Sequence, residues 1–107
     1  MFTKSNSSDF KLLIEGVKMR PLVWEQKTLL CEFQLEKGNT IPPHQHPYEQ
    51  TGMLISGKLN FRINNEWHLA GSGDSWSVPE NVEHEVEILE NSVLIELFSP
   101  IRKDYLP

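Results

Sequence analysis

The chain has 107 residues, a net charge of −5 and a hydrophobic fraction of 38%, which fits one compact domain with a modest core and is too short for two. No apolar run approaches the roughly 20 residues that span a bilayer. The acidic balance argues against nucleic acid and anionic membranes as partners, since both call for clustered Lys and Arg.

Met1 to Phe10 is polar and rich in Ser and Asn, and is expected to be flexible. It lacks the apolar core of a signal peptide, so a cytoplasmic protein is expected. Asn6-Ser7-Ser8 matches a glycosylation acceptor, which in that setting is read as chance. From Thr28 to Glu36 the chain alternates with period two: Leu29, Cys31, Phe33 and Leu35 share one face. Cys31 is the single cysteine, so no internal disulfide can form, and its apolar neighbours predict a packed, inert thiol. Lys37-Gly38-Asn39 turns the chain.

His44, His46 and Gln50 follow. Histidines at i and i+2 point to one face of an extended strand. Imidazole suits Zn, Ni, Cu and Fe, and an amide oxygen adds a neutral hard donor. Glu49 is the rival of Gln50; on a strand only one of the two can face such a site.

Leu59, Phe61 and Ile63 alternate with polar residues, including Arg62, which is expected to face solvent. Asn64-Asn65 is a hairpin turn, because Asn tolerates positive φ. Trp67 and Leu69 start the return strand, with His68 read as a surface histidine. Gly71-Ser72-Gly73-Asp74 turns again, and Trp76 and Val78 share a strand face. Of Trp24, Trp67 and Trp76, the last is the best candidate to line a cavity. His84, Val86 and Ile88 occupy one face of the next strand, opposite a solvated row of Glu83, Glu85 and Glu87. Val93 to Phe98 is apolar on both faces except for Glu96, and is expected to be covered on both. Many short strands and no helical period predict an all-β sandwich or closed barrel.

The spacings are specific. Gly38, His44, His46, Gln50 and Gly57 are separated by five, one, three and six residues; Gly73, Pro79, Asn81 and His84 by five, one and two. These runs resemble the first and second motifs of the cupin superfamily. The resemblance implies an all-β double-stranded β-helix, or jelly-roll barrel. It also implies one divalent transition metal (Ni, Zn, Mn or Fe) on His44, His46, Gln50 and His84. The family usually carries Glu where this chain has Gln50, and Gly where it has Asn81. Asn adopts the left-handed conformation better than most residues.

Gln50, with the tail Phe98-Ser99-Pro100-Ile101-Arg102-Lys103-Asp104-Tyr105-Leu106, makes the chain most similar to pectin-degradation cupins of the KdgF type. Those proteins convert 4,5-unsaturated uronates from pectin or alginate breakdown to the linear keto form. An Asp precedes their Phe-Ser-Pro stretch and an Arg follows it; here Glu96 and Arg102 hold those places. The resemblance implies Glu96 as the proton-transfer group and Arg102 as the clamp for an anionic sugar acid. Two other readings stand beside it: an iron-dependent dioxygenase, and a cupin that binds a small ligand without turnover. The doubly apolar strand, and the habit of cupins to dimerise, predict a homodimer.

Overall fold

A computed structural model describes residues 1–6 and 9–107. Ser7 and Ser8, which complete the Asn6-Ser7-Ser8 triplet, lie outside the described residues. Ten strands follow in chain order: β1 (Lys11–Ile14), β2 (Val17–Trp24), β3 (Leu29–Leu35), β4 (Thr40–His44), β5 (Glu49–Ser56), β6 (Lys58–Ile63), β7 (Glu66–Gly71), β8 (Ser75–Val78), β9 (His84–Ile88) and β10 (Ser92–Ser99). One 3-10 turn, Lys103–Tyr105, closes the chain. Among the described residues no helix is long and apolar enough to cross a membrane.

The strands form two antiparallel sheets, ordered β1-β2-β3-β10-β5-β8 and β4-β9-β6-β7. The double-stranded β-helix that the resemblance implies is the fold. Long crossovers put β10 between β3 and β5, and β9 between β4 and β6. Residues from both ends of the sequence thereby line one interior.

The period-two runs bury the faces expected of them. Leu29, Cys31, Phe33 and Leu35 point inward from β3, and His84, Val86 and Ile88 from β9. Met19, Leu29, Leu54, Leu59 and Val78 lose all solvent contact. A fully buried aliphatic side chain of this kind stabilises the fold by about 1.5–3 kcal/mol.

Turns sit where the sequence placed them. Asn64 (φ 53°) and Asn81 (φ 60°) both take the left-handed conformation. Gly57 combines a φ of 110° with close approach: an added Cβ would stand 2.1 Å from Ser92 Oγ. Only glycine fits both conditions.

From β6, Arg62 pairs with Glu83 and Glu85 on the outer sheet face, and Glu87 accepts from the Asn60 amide. One expectation changes, that of a β10 strand covered on both faces. β10 is covered on one face only. Leu94, Glu96 and Phe98 are buried, whereas Leu97 is 37% exposed and Val93 and Ile95 are half-buried. With Met53 and Ile55 they leave an apolar strip on the outer sheet face. The described part of the first ten residues makes contacts with β2 and the turn that follows it. The Met1 amino group meets Glu25, Arg20 donates to the Ser5 carbonyl, and the Arg20 guanidinium lies over Phe10.

Candidate metal centre

His44 ends β4, and His84 opposes it directly as the first residue of β9. His46 lies beyond the strand, in the connection to β5. The two histidines therefore share a site without sharing a strand. The link that carries His46 is held by its carbonyl, which accepts from the Asn81 amide at 2.8 Å. The left-handed turn of the second spacing motif thus pins the histidine of the first.

The three ring centroids stand 4.1–5.5 Å apart. One nitrogen from each ring lies within 4.8 Å of the other two. The tautomers follow from hydrogen bonding. Each Nδ1 faces a main-chain carbonyl: His44 that of Pro42 at 2.8 Å, His46 that of Tyr48 at 3.1 Å, and His84 that of Val82 at 2.8 Å. A carbonyl only accepts, so every Nδ1 carries the proton and every Nε2 keeps its lone pair. His46 Nε2 is buried without any partner. A buried polar atom left so is costly, and a metal ion is a partner that would satisfy it.

Burial pushes the His84 imidazole down to about 4, with the neighbouring His44 and His46 adding to the effect. Burial also lowers His46, helped by Arg102 and His44. Both rings are neutral at neutral pH, as ligands must be.

Gln50 points inward from β5 and is buried, while Glu49 is exposed. The Gln50 amide nitrogen donates to Glu96 Oε1 at 3.3 Å. This contact explains Gln at a position where the family usually has Glu. A second carboxylate here would face Glu96, and like charges at that range resist ionising together. His44, His46, Gln50 and His84 together fit a divalent transition metal.

Glu96 is the register-sensitive residue. Pairing of β10 with both β3 and β5 turns it inward, opposite Cys31 on one side and Gly52 on the other. Its Oε1 accepts from Trp76 Nε1 at 2.9 Å as well as from Gln50; Oε2 is buried with no partner. Burial pushes its carboxyl up to about 8, against the lowering effect of the Trp76 and Gln50 hydrogen bonds. Cys31 beside it is fully buried, its thiol pushed up to about 12 chiefly by burial, which fits an inert packed residue.

Arg102 follows β10 and folds back over the barrel mouth. Its guanidinium lies 3.8 Å from the Tyr105 ring centre and 5.0 Å from those of Tyr48 and Phe98. Nη2 bonds Asp104 at 3.1 Å, and Nε is buried without a partner. The ion pair is with Asp104, not with Glu96, so the two candidate catalytic groups do not neutralise each other.

A cavity of about 280 Å³ holds these groups together: His44, His46, Gln50, His84, Glu96 and Arg102 all line it, between apolar walls that include Phe33, Phe61 and Phe98. Trp76 does not line this cavity, contrary to expectation; only its N–H reaches the site, through Glu96. His68 is exposed and remote, near Glu66. Tyr48 and Gly52 were not singled out by sequence, and Tyr105 entered only as part of the C-terminal tail. Gly52 alone carried a local signal, an isolated glycine inside a strand pattern, which marks close approach.

Fold and site together define a cupin. The cupin-domain family matches residues 31–98, and the chain belongs to it. The pectin degradation protein KdgF of Dickeya dadantii is 31% identical over 94 residues, 86% of each chain. The structure of KdgF from a Halomonas species superposes with a TM-score of 0.93 at 25% identity, covering 99% of this chain and 98% of that one. An RmlC-like cupin from Shewanella frigidimarina shares the fold equally well, with a TM-score of 0.93 at 23% identity over 98% of this chain and 95% of the other.

Proposed function

We propose that this protein is a metal-dependent enzyme that converts 4,5-unsaturated uronates, released from pectin or alginate, to the linear keto form. The observation that carries the reading is the Glu96 carboxyl. It is buried, has one unpartnered oxygen, and shares a monosaccharide-sized cavity with three imidazoles and an arginine. The likeness to KdgF proteins supplies the substrate class.

The conversion is an isomerisation and needs no oxidant. The anomeric hydroxyl loses its proton, the bond from C1 to the ring oxygen breaks, C5 becomes a carbonyl and C4 gains a proton. A divalent ion (Ni, Zn, Mn or Fe) on His44, His46, Gln50 and His84 would supply Lewis acidity, stabilising negative charge on a substrate oxygen. Arg102 binds the uronate carboxylate, its guanidinium held in place by the Tyr105, Tyr48 and Phe98 rings. Glu96 moves the proton. Its raised pKa keeps the carboxyl near the balance point between acid and base at neutral pH.

The test is turnover of freshly generated unsaturated monouronate followed by NMR. Metal-loaded protein is expected to exceed the spontaneous rate. A rate equal to the spontaneous one, with metal bound, would remove this reaction. Oxygen uptake by the iron-loaded protein, or ligand binding without turnover, would then be the reading to pursue.

The chain is proposed to act as a homodimer that covers the apolar strip of Val93, Ile95, Leu97, Met53 and Ile55. Sedimentation should show a dimer that Met53→Arg, at a 38% exposed position, splits into folded monomers. A monomeric wild type excludes this assembly.

A further inference from the structure

Glu96, Gly52 and Trp76 stand in one row across β10, β5 and β8: Glu96 pairs with Gly52, and Gly52 pairs with Trp76. The two outer side chains meet above the central glycine, the indole N–H donating to Glu96 Oε1 at 2.9 Å. Any side chain at Gly52 would close this space. An added Cβ would stand 2.5 Å from Glu96 Oε2 and 2.6 Å from Trp76 Nε1. Trp76 itself does not line the cavity.

We propose that Trp76 is a positioning residue, reaching through the gap left by Gly52 to engage Glu96 Oε1 and leave Oε2 as the oxygen that exchanges the proton. The inference rests on the reading of Glu96 as the proton-transfer group. With Oε1 accepting from both Trp76 and Gln50, a proton on the carboxyl belongs on Oε2. The fixed donors also set the torsion of a side chain one methylene longer than the family's Asp.

Trp76→Phe keeps the ring and removes the donor. It is expected to lower kcat about tenfold to a hundredfold, the scale of a small misplacement of a reacting group, with KM and metal content within about twofold of wild type. Gly52→Ala should do the same by displacing the carboxyl, and the shorter acid in a Gly52→Ala, Glu96→Asp double variant should recover turnover. That rescue would not follow from a merely structural role.

A second readout needs no turnover. In the metal-free protein, the Trp76 indole N–H resonance should be downfield and slow to exchange, and should move in Gly52→Ala and Glu96→Ala. An indole resonance unchanged in both, or Trp76→Phe with full kcat, overturns the positioning role. If Trp76→Phe does not fold, the indole signal of the wild type and of the two other variants decides. Glu96→Gln separates the two levels. An inactive Glu96→Gln beside a fully active Trp76→Phe removes only the positioning, whereas an active Glu96→Gln removes the role of Glu96 itself.

Discussion

Glu96→Gln is expected to reduce turnover of an unsaturated uronate by about 10²- to 10⁴-fold, the range that general acid–base groups supply, while metal content and fold are retained. The substitution is nearly isosteric. Its amide oxygen can still accept from Trp76 and Gln50, as Oε1 does. What is lost is the exchangeable proton. The same variant should alter the pH dependence of stability. Burial raises Glu96 from 4.5 to about 8, so the folded state holds a proton that the unfolded chain releases earlier. The stability this contributes is fully present below about pH 4.5 and is lost as pH rises toward 8. Glutamine cannot ionise, so metal-free Glu96→Gln should gain on the wild type across that window in denaturant titrations. His84, lowered to about 4, favours the opposite trend, but it does so in both proteins and cancels in the difference. Glu96→Gln with wild-type turnover would remove Glu96 from the mechanism.

Loading with a divalent ion should stabilise the folded chain, because the ligand geometry exists only when β4, β5 and β9 are assembled. At an ion concentration about 100 times Kd the gain is about 2.7 kcal/mol. For a domain of this size that raises Tm by roughly 10 °C or more. Ni²⁺, Zn²⁺, Mn²⁺ and Fe²⁺ can be compared in turn, with chelator as the reference. His84→Ala should abolish both the rise and the turnover, since it removes one of three converging nitrogens and leaves His46 Nε2 facing a gap. An equal rise in Tm with His84→Ala would place the ion elsewhere on the chain.

Much of the barrel was visible in the linear pattern, and the reason is local. Strands β3, β6 and β9 announce themselves by alternation, β10 by its apolar run, and the left-handed turns at Asn64 and Asn81 by residue type. The strands that escaped notice are irregular. β2 carries Pro21 and a register shift beside it; β4 contains Pro42 and Pro43 and shifts register between Ile41 and His44. β5 is broken by Gly52, whose missing side chain interrupts the alternation where it makes room for Glu96. The partners of Arg62 were not legible, because Glu83 and Glu85 arrive from the neighbouring strand β9 and the turn before it.

By itself the sequence determined the class of barrel and the chemistry of its donors. Histidine spacing, motif glycines and asparagines, and period-two burial are properties of short segments, and they carry over into three dimensions unchanged. Only the tertiary structure decided which way Glu96 points, that Trp76 serves it from outside the cavity, and that Arg102 rests on Tyr105, Tyr48 and Phe98 rather than on Glu96. Each of these depends on how strands distant in the chain align. A slip of one residue between β10 and β5 would turn Glu96 to the outer face. Pairing energy summed over whole strands sets that alignment, and no single segment contains it.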